Sequence, residues 1–257
     1  MDISSGINTV VTQCKPYYNK AESVIHTWGH ITRTAQGAAW IVKIMGGTPR
    51  QQELAYLAGI LHDIVRPPTE IKCHAKASAE KALTILEEVL ITNSEKEEIY
   101  NAIKDHRTPV PWNNAVHSSV YISDKIFEHM GAYLDFRASV WAGELSHTDF
   151  EGFTPVESII QYYKKASEKF LTGKFPDCVT GIVEYQTQWN KTYFKALQDN
   201  EWWAVDMAGK LFLTGKNKKD FEKVLHTVEP EGKQTQWVNE MRTYITGKKF
   251  PFFYTLL

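Results

Sequence analysis

The sequence predicts an all-α fold, and three observations carry that prediction. Apolar residues recur at helical spacing through nearly the whole chain, alternating strand-like runs are scarce and short, and helix caps stand where apolar stripes begin and end. A composition of 43% hydrophobic and 23% charged residues belongs to compact globular proteins and excludes a disordered, collagen-like or disulfide-scaffold chain.

The first clear stripe is Ile31, Ala35, Ala38, Val42 and Met45, ending at Gly46-Gly47, a natural helix stop. Thr48 then reads as an N-cap, with Pro49 at the first helical position and Gln51 completing a capping box. The stripe of this second helix is Leu54, Leu57, Ala58 and Leu61. Pro67-Pro68 closes the segment, because neither ring donates a backbone hydrogen bond and the preceding residue avoids α geometry. His62 and Asp63 therefore fall at a helix C-terminal end. Further helices are predicted over about 78–90 (Ala82, Leu86, Val89), about 94–106, opened by a box from Ser94 to Glu97, and about 117–130. Gly, Pro and Asn punctuation divides the second half into helices near 155–172, 178–198, 201–214 and 233–246. The 257 residues read as a single all-α domain, 1–257, with a core over about 20–135 and a C-terminal helical extension over about 136–257.

Three similar segments, Leu171-Thr172-Gly173-Lys174, Leu213-Thr214-Gly215-Lys216 and Ile245-Thr246-Gly247-Lys248, lack the upstream glycine and Lys-Ser/Thr ending of a phosphate loop. They read as helix C-caps with glycine in the left-handed position.

The net charge of −1, from 29 basic and 30 acidic residues mixed along the chain, argues against nucleic acid or an anionic membrane as the main partner and for a small molecule. Cys14, Cys73 and Cys178 are odd in number and form no CxxC pair, which fits a reducing, cytoplasmic setting. There is no basic-then-apolar signal pattern, and no apolar run reaches the roughly 18–20 residues needed to span a bilayer.

A lone His62-Asp63 dipeptide means little, but three predicted helices aim ionisable groups inward. His62 extends the stripe of Leu54, Ala58 and Leu61, His106 follows Ile99, Ala102 and Ile103 on one face, and Asp124 lies among Val120, Tyr121 and Phe127. An ionised carboxylate away from water costs several kcal/mol unless paired or bound to a cation. Imidazoles converging with two carboxylates make a metal the economical solution.

With His30 in HTWGHITRTA, His62-Asp63 in LAGILHDIVRP, His74 in HAKASAEKAL, His106 in AIKDHR and Asp124 in YISDKIFEHMGA, the sequence resembles the HD superfamily of metal-dependent phosphohydrolases over roughly residues 20–135. The resemblance implies an HD-type helical core and a binuclear site of divalent transition ions, drawn from Mn, Fe, Ni, Co or Zn. It places His30, His62 and Asp124 on one ion and His74 and His106 on the other, with Asp63 bridging. His74 sits just before its predicted helix, and without it the site would be mononuclear. His62 and Asp63 take the catalytic roles. His26, one helical turn before His30, and Arg66, where many members have Lys, would contact phosphate, although Val65 replaces the usual Gly; Arg107 and Lys125 are further substrate-binding candidates. HTWGH lacks the Glu that a HExxH zinc protease requires. His117 falls on the face of Asp124, whereas His129, His147 and His226 match no motif.

The expected activity is phosphomonoester or phosphodiester hydrolysis of a small phosphorylated metabolite or nucleotide. Di-iron oxygenases of the same superfamily share the ligand set, and a ligand-binding module with no activity is the third alternative.

Overall fold

The computed structural model describes residues 3–19, 23–66, 73–166 and 174–247. It is all-α: the described residues form twelve α-helices and no strand. None of the helices is long and apolar enough to cross a membrane. The chain divides into two compact units, the main division falling between Phe127 and Glu128.

The first unit holds α1 (Ile3–Asn19), α2 (Trp28–Ile44), α3 (Pro49–Leu61), α4 (His74–Ile85), α5 (Asn93–Lys104) and α6 (Ala115–Ser123), the last running into a π turn, Asp124–Glu128. The caps at its centre are those expected. Gly46, at φ 82°, ends α2, and Thr48 opens α3 with a reciprocal box to Gln51. The box of α5 lies two residues earlier than expected, Thr92 pairing with Glu95, because Thr92 carries the extended backbone an N-cap requires. His74 begins α4 itself, four residues before the expected start.

Packing around α3 positions the site. Gly59 on α3 lies so close to Ala35 on α2 that a Cβ there would overlap the Ala35 backbone. Tyr18 of α1 donates to the Ile60 carbonyl at 2.6 Å, and Ser123 of α6 donates to the Thr34 carbonyl of α2 at 2.8 Å. Leu57, Ile60 and Leu61 are fully buried, each contributing about 1.5–3 kcal/mol through removal from water.

The second unit holds α7 (Gly131–Glu144), α8 (Pro155–Ala166), α9 (Thr180–Gln198), α10 (Trp202–Lys216), α11 (Phe221–Thr227) and α12 (Gln234–Ile245). Its centre is α7, buried on nearly every face, which packs against α8, α9, α10 and α12. Asp135 of α7 is fully buried without a cation. It accepts hydrogen bonds from Tyr163 of α8, from Asn190 of α9 at 2.6 Å and from Trp237 of α12 at 3.0 Å, tying four helices to one carboxyl group.

Of the three Thr-Gly segments, Gly247 takes the left-handed cap, at φ 71°, while Leu171–Gly173 lies outside the described residues. The middle one corrects the expectation: Leu213–Lys216 stays inside α10. A Cβ on Gly215 would overlap the Val140 carbonyl, and one on Gly143 the Phe212 carbonyl, so these glycines let α7 and α10 touch backbone to backbone.

Gly215→Ala is expected to destabilise the fold by about 1–3 kcal/mol in urea unfolding. Helix propensity alone predicts a gain of about 1 kcal/mol, so the sign decides between the two effects. Burial raises the Asp135 carboxyl to about 7, against the opposing hydrogen bonds from Tyr163, Asn190 and Trp237. Between about pH 4 and 7 the folded chain therefore binds a proton that the unfolded chain has lost, and stability falls as pH rises through that window. Urea midpoints are expected to drop from pH 4.5 to 7.5 in the wild type, with a shallower slope in Asp135→Asn.

Candidate metal centre

The six side chains singled out in the sequence meet in the first unit, delivered by helix ends. Thr27 caps α2 and accepts from the His30 backbone N–H, which puts His30 in the first turn. His62 is the C-cap of α3, Asp63 follows it, His74 opens α4, His106 sits on the turn after α5, and Asp124 lies where α6 becomes a π turn. All are buried except His74, whose side chain is 17% exposed.

Asp63 is at the centre. Its Oδ1 lies 3.4 Å from His74 Nε2 and 3.6 Å from His106 Nε2, and its Oδ2 lies 3.5 Å from His62 Nε2 and 3.7 Å from His30 Nε2. His30 Nε2 is 3.9 Å from Asp124 Oδ1. The donors form two groups, His30 with His62 and Asp124, and Asp63 with His74 and His106, each with its ligand atoms within 4.8 Å of one another.

Two histidines are fixed in one tautomer by the helices that carry them. His62 Nδ1 donates to the Gly59 carbonyl and His106 Nδ1 to the Ile103 carbonyl, both at 2.7 Å, so each Nε2 presents its lone pair to the cluster. Among the described residues, the buried atoms His62 Nε2, His74 Nε2 and Asp63 Oδ1 meet no hydrogen-bond partner. Buried polar atoms left in this way are rare and costly, and a cation satisfies them together.

Electrostatics sets the same protonation states. Burial lowers His62, and it lowers His106 to about 3, against the pull of Asp63 and Asp124, so both rings are neutral. Burial alone would raise the Asp63 carboxyl, but the opposing groups, led by the Arg66 guanidinium, hold the acid well below the ordinary carboxylate value. Neutral imidazoles and ionised carboxylates are the donor set of a divalent transition ion. The residues fit a metal.

Each acid also has a counter-cation. Arg66 Nη2 donates to Asp63 Oδ2 at 2.6 Å, and Lys125 Nζ donates to Asp124 Oδ2 at 2.5 Å, with the buried ammonium 5.9 Å from the Tyr121 ring centroid. His26 is buried just before α2, its ring edge-on to His30 at 5.6 Å. Arg107 is exposed on the turn after His106. His117 turns away to bond Asp105 at 2.9 Å. Sequence reasoning missed Ser78, a buried residue of α4 whose hydroxyl accepts from the Val65 N–H at 3.1 Å and so anchors the segment after Asp63. No pattern marks such a serine in advance.

Residues 27–138 match the family model of the HD domain. Over that segment, less than half of its length, the chain is similar to the HD domain. All six clustered residues lie inside the matched segment, and His26 lies just before it. No curated protein and no solved structure matches the chain.

A ligand that binds only the folded state at about 100 times its dissociation constant stabilises it by about 2.7 kcal/mol. Mn²⁺ at that concentration is expected to raise the Tm of the chelator-treated protein by about 5–10 °C, reversed by EDTA. An unmoved Tm in calorimetry would remove the metal assignment.

Proposed function

We propose that the HD domain of this chain is a metal-dependent phosphohydrolase acting on a small phosphorylated metabolite or nucleotide. The observation that supports it best is the division of Asp63, one oxygen toward His74 and His106 and the other toward His30 and His62. That is the disposition a carboxylate shared between two cations requires. His30, His62 and Asp124 would hold one divalent ion, and His74 and His106 the other, from among Mn, Fe, Ni, Co and Zn. When bound, such ions polarise a phosphoryl oxygen and lower the pKa of water.

The chain's own residues do the rest. Asp63, ionised by its basic surroundings, accepts a hydrogen bond from the attacking water and orients it. His62, its Nδ1 donating to the Gly59 carbonyl, aims Nε2 into the cluster beside Asp63. His26 and Arg66 bind phosphoryl oxygens at the edge of the cluster, Arg66 as a charged donor. Lys125 holds Asp124 to one rotamer. The two acids are balanced by Arg66 and Lys125, so bound ions make the site net positive, which suits an anionic ester.

The test is metal analysis of protein purified without added metal, followed by phosphate release from a panel of phosphomonoesters, phosphodiesters and nucleotides. The expected result is release that falls by at least about 10³-fold in Asp63→Ala. Activity that survives this substitution would misplace the site. Bound iron with oxygen uptake and no phosphate release would replace the hydrolase with an oxygenase.

A further inference from the structure

Arg66 and a cation beside His30 and His62 claim the same oxygen. Asp63 Oδ2 accepts the guanidinium at 2.6 Å, and it is also the oxygen facing His62 Nε2 at 3.5 Å and His30 Nε2 at 3.7 Å. The other oxygen, Oδ1, meets no hydrogen-bond donor among the described residues and faces His74 and His106. The two cluster halves therefore differ in what a cation meets, a bare oxygen on one side and an oxygen already neutralised on the other. A guanidinium within hydrogen-bond reach of the shared oxygen also repels an arriving divalent ion.

The two counter-cations are not equivalent. The Lys125 side chain is 6% exposed and follows its acid directly in sequence, so both ends of that pair are shielded from water. The Arg66 side chain is 31% exposed while Asp63 is 1% exposed, so only the guanidinium end of that pair reaches water. Arg66 lies one residue beyond the anchor that Ser78 makes to Val65.

We infer that Arg66 is an internal antagonist of the ion on the His30–His62 side, released from Asp63 as that ion binds and then available to the anionic substrate. This rests on the metal-dependent reading above and adds to it a coupling: the ion frees the guanidinium for the anion, and by reciprocity the anion, in drawing Arg66 away, tightens the ion. Arg66 acts on the ion through Asp63 and is to that extent a positioning residue. Its contact with the anion is the second half of the same exchange.

The experiment is titration of the chelator-treated full chain with Mn²⁺, free Mn²⁺ being read by electron paramagnetic resonance. A parallel titration with inorganic phosphate is read by calorimetry at saturating Mn²⁺. Arg66→Gln is expected to tighten the weaker Mn²⁺ site about tenfold in the absence of phosphate, and to weaken phosphate about tenfold at saturating Mn²⁺. Arg66→Lys, which keeps the charge, is expected to return both values toward wild type. A merely structural Arg66 would loosen Mn²⁺ on removal, since Asp63 would lose its support, and that result overturns the inference, as does an unchanged phosphate affinity. Wild-type protein that binds no Mn²⁺ overturns the metal reading itself. Wild-type protein that binds Mn²⁺, with Arg66→Gln no tighter, overturns only the antagonism.

Discussion

The burial of Asp63 and Asp124 is the constraint on which the first unit is organised. An ionised carboxylate taken from water costs several kcal/mol unless charge is returned to it. The chain returns charge with Arg66 and Lys125. Those two ion pairs still leave Asp63 Oδ1 and the Nε2 atoms of His62 and His74 without hydrogen bonds among the described residues. The remaining debt is of a kind that cations settle, because every one of these atoms is a lone-pair donor. Fold stability and ligand affinity are thus written into the same atoms.

Helix ends do the positioning. A helix leaves backbone groups of its first and last turns without intrahelical partners, and side chains near those ends answer them. His62 and His106 donate through Nδ1 to carbonyls of α3 and α5 in this way, which chooses the tautomer and aims Nε2 inward. The π turn at Asp124 is a wider coil of the kind often found at functional sites. Close helix contacts hold the ends together: Gly59 against Ala35 brings α3 onto α2, and Ser123 ties α6 to Thr34.

The second unit solves the same problem with different chemistry. Asp135 is as deeply buried as Asp63, yet among the described residues it meets hydroxyl, amide and indole donors and no cationic side chain. Both its oxygens are satisfied, so it reads as a structural hub and Asp63 as a site. Burial is common to both residues; it is the unfilled lone pairs that separate them.

The helices around the cluster were legible in the sequence because their signals are local. The Thr48 box, the stop at Gly46 and the apolar stripes leading to His62 and His106 each depend on residues within a few positions of one another. α1, α7 and α11 were not legible. Gly6 and Pro16 are poor helix residues that mask α1 in the sequence, α7 is buried on nearly every face and so shows no stripe, and α11 is two turns long. Gly215, read as a cap, proved to be a contact surface, since only the opposing Val140 carbonyl on α7 reveals what its missing Cβ is for. By itself the sequence determined the all-α class, the order of the His and Asp residues and the helix ends on which most of them sit. Tertiary structure decided that Asp63 stands between two pairs of imidazoles, that Arg66 and Lys125 answer the two acids and that Ser78 anchors the segment between, because distances between residues far apart in the chain are set by packing and leave no local trace.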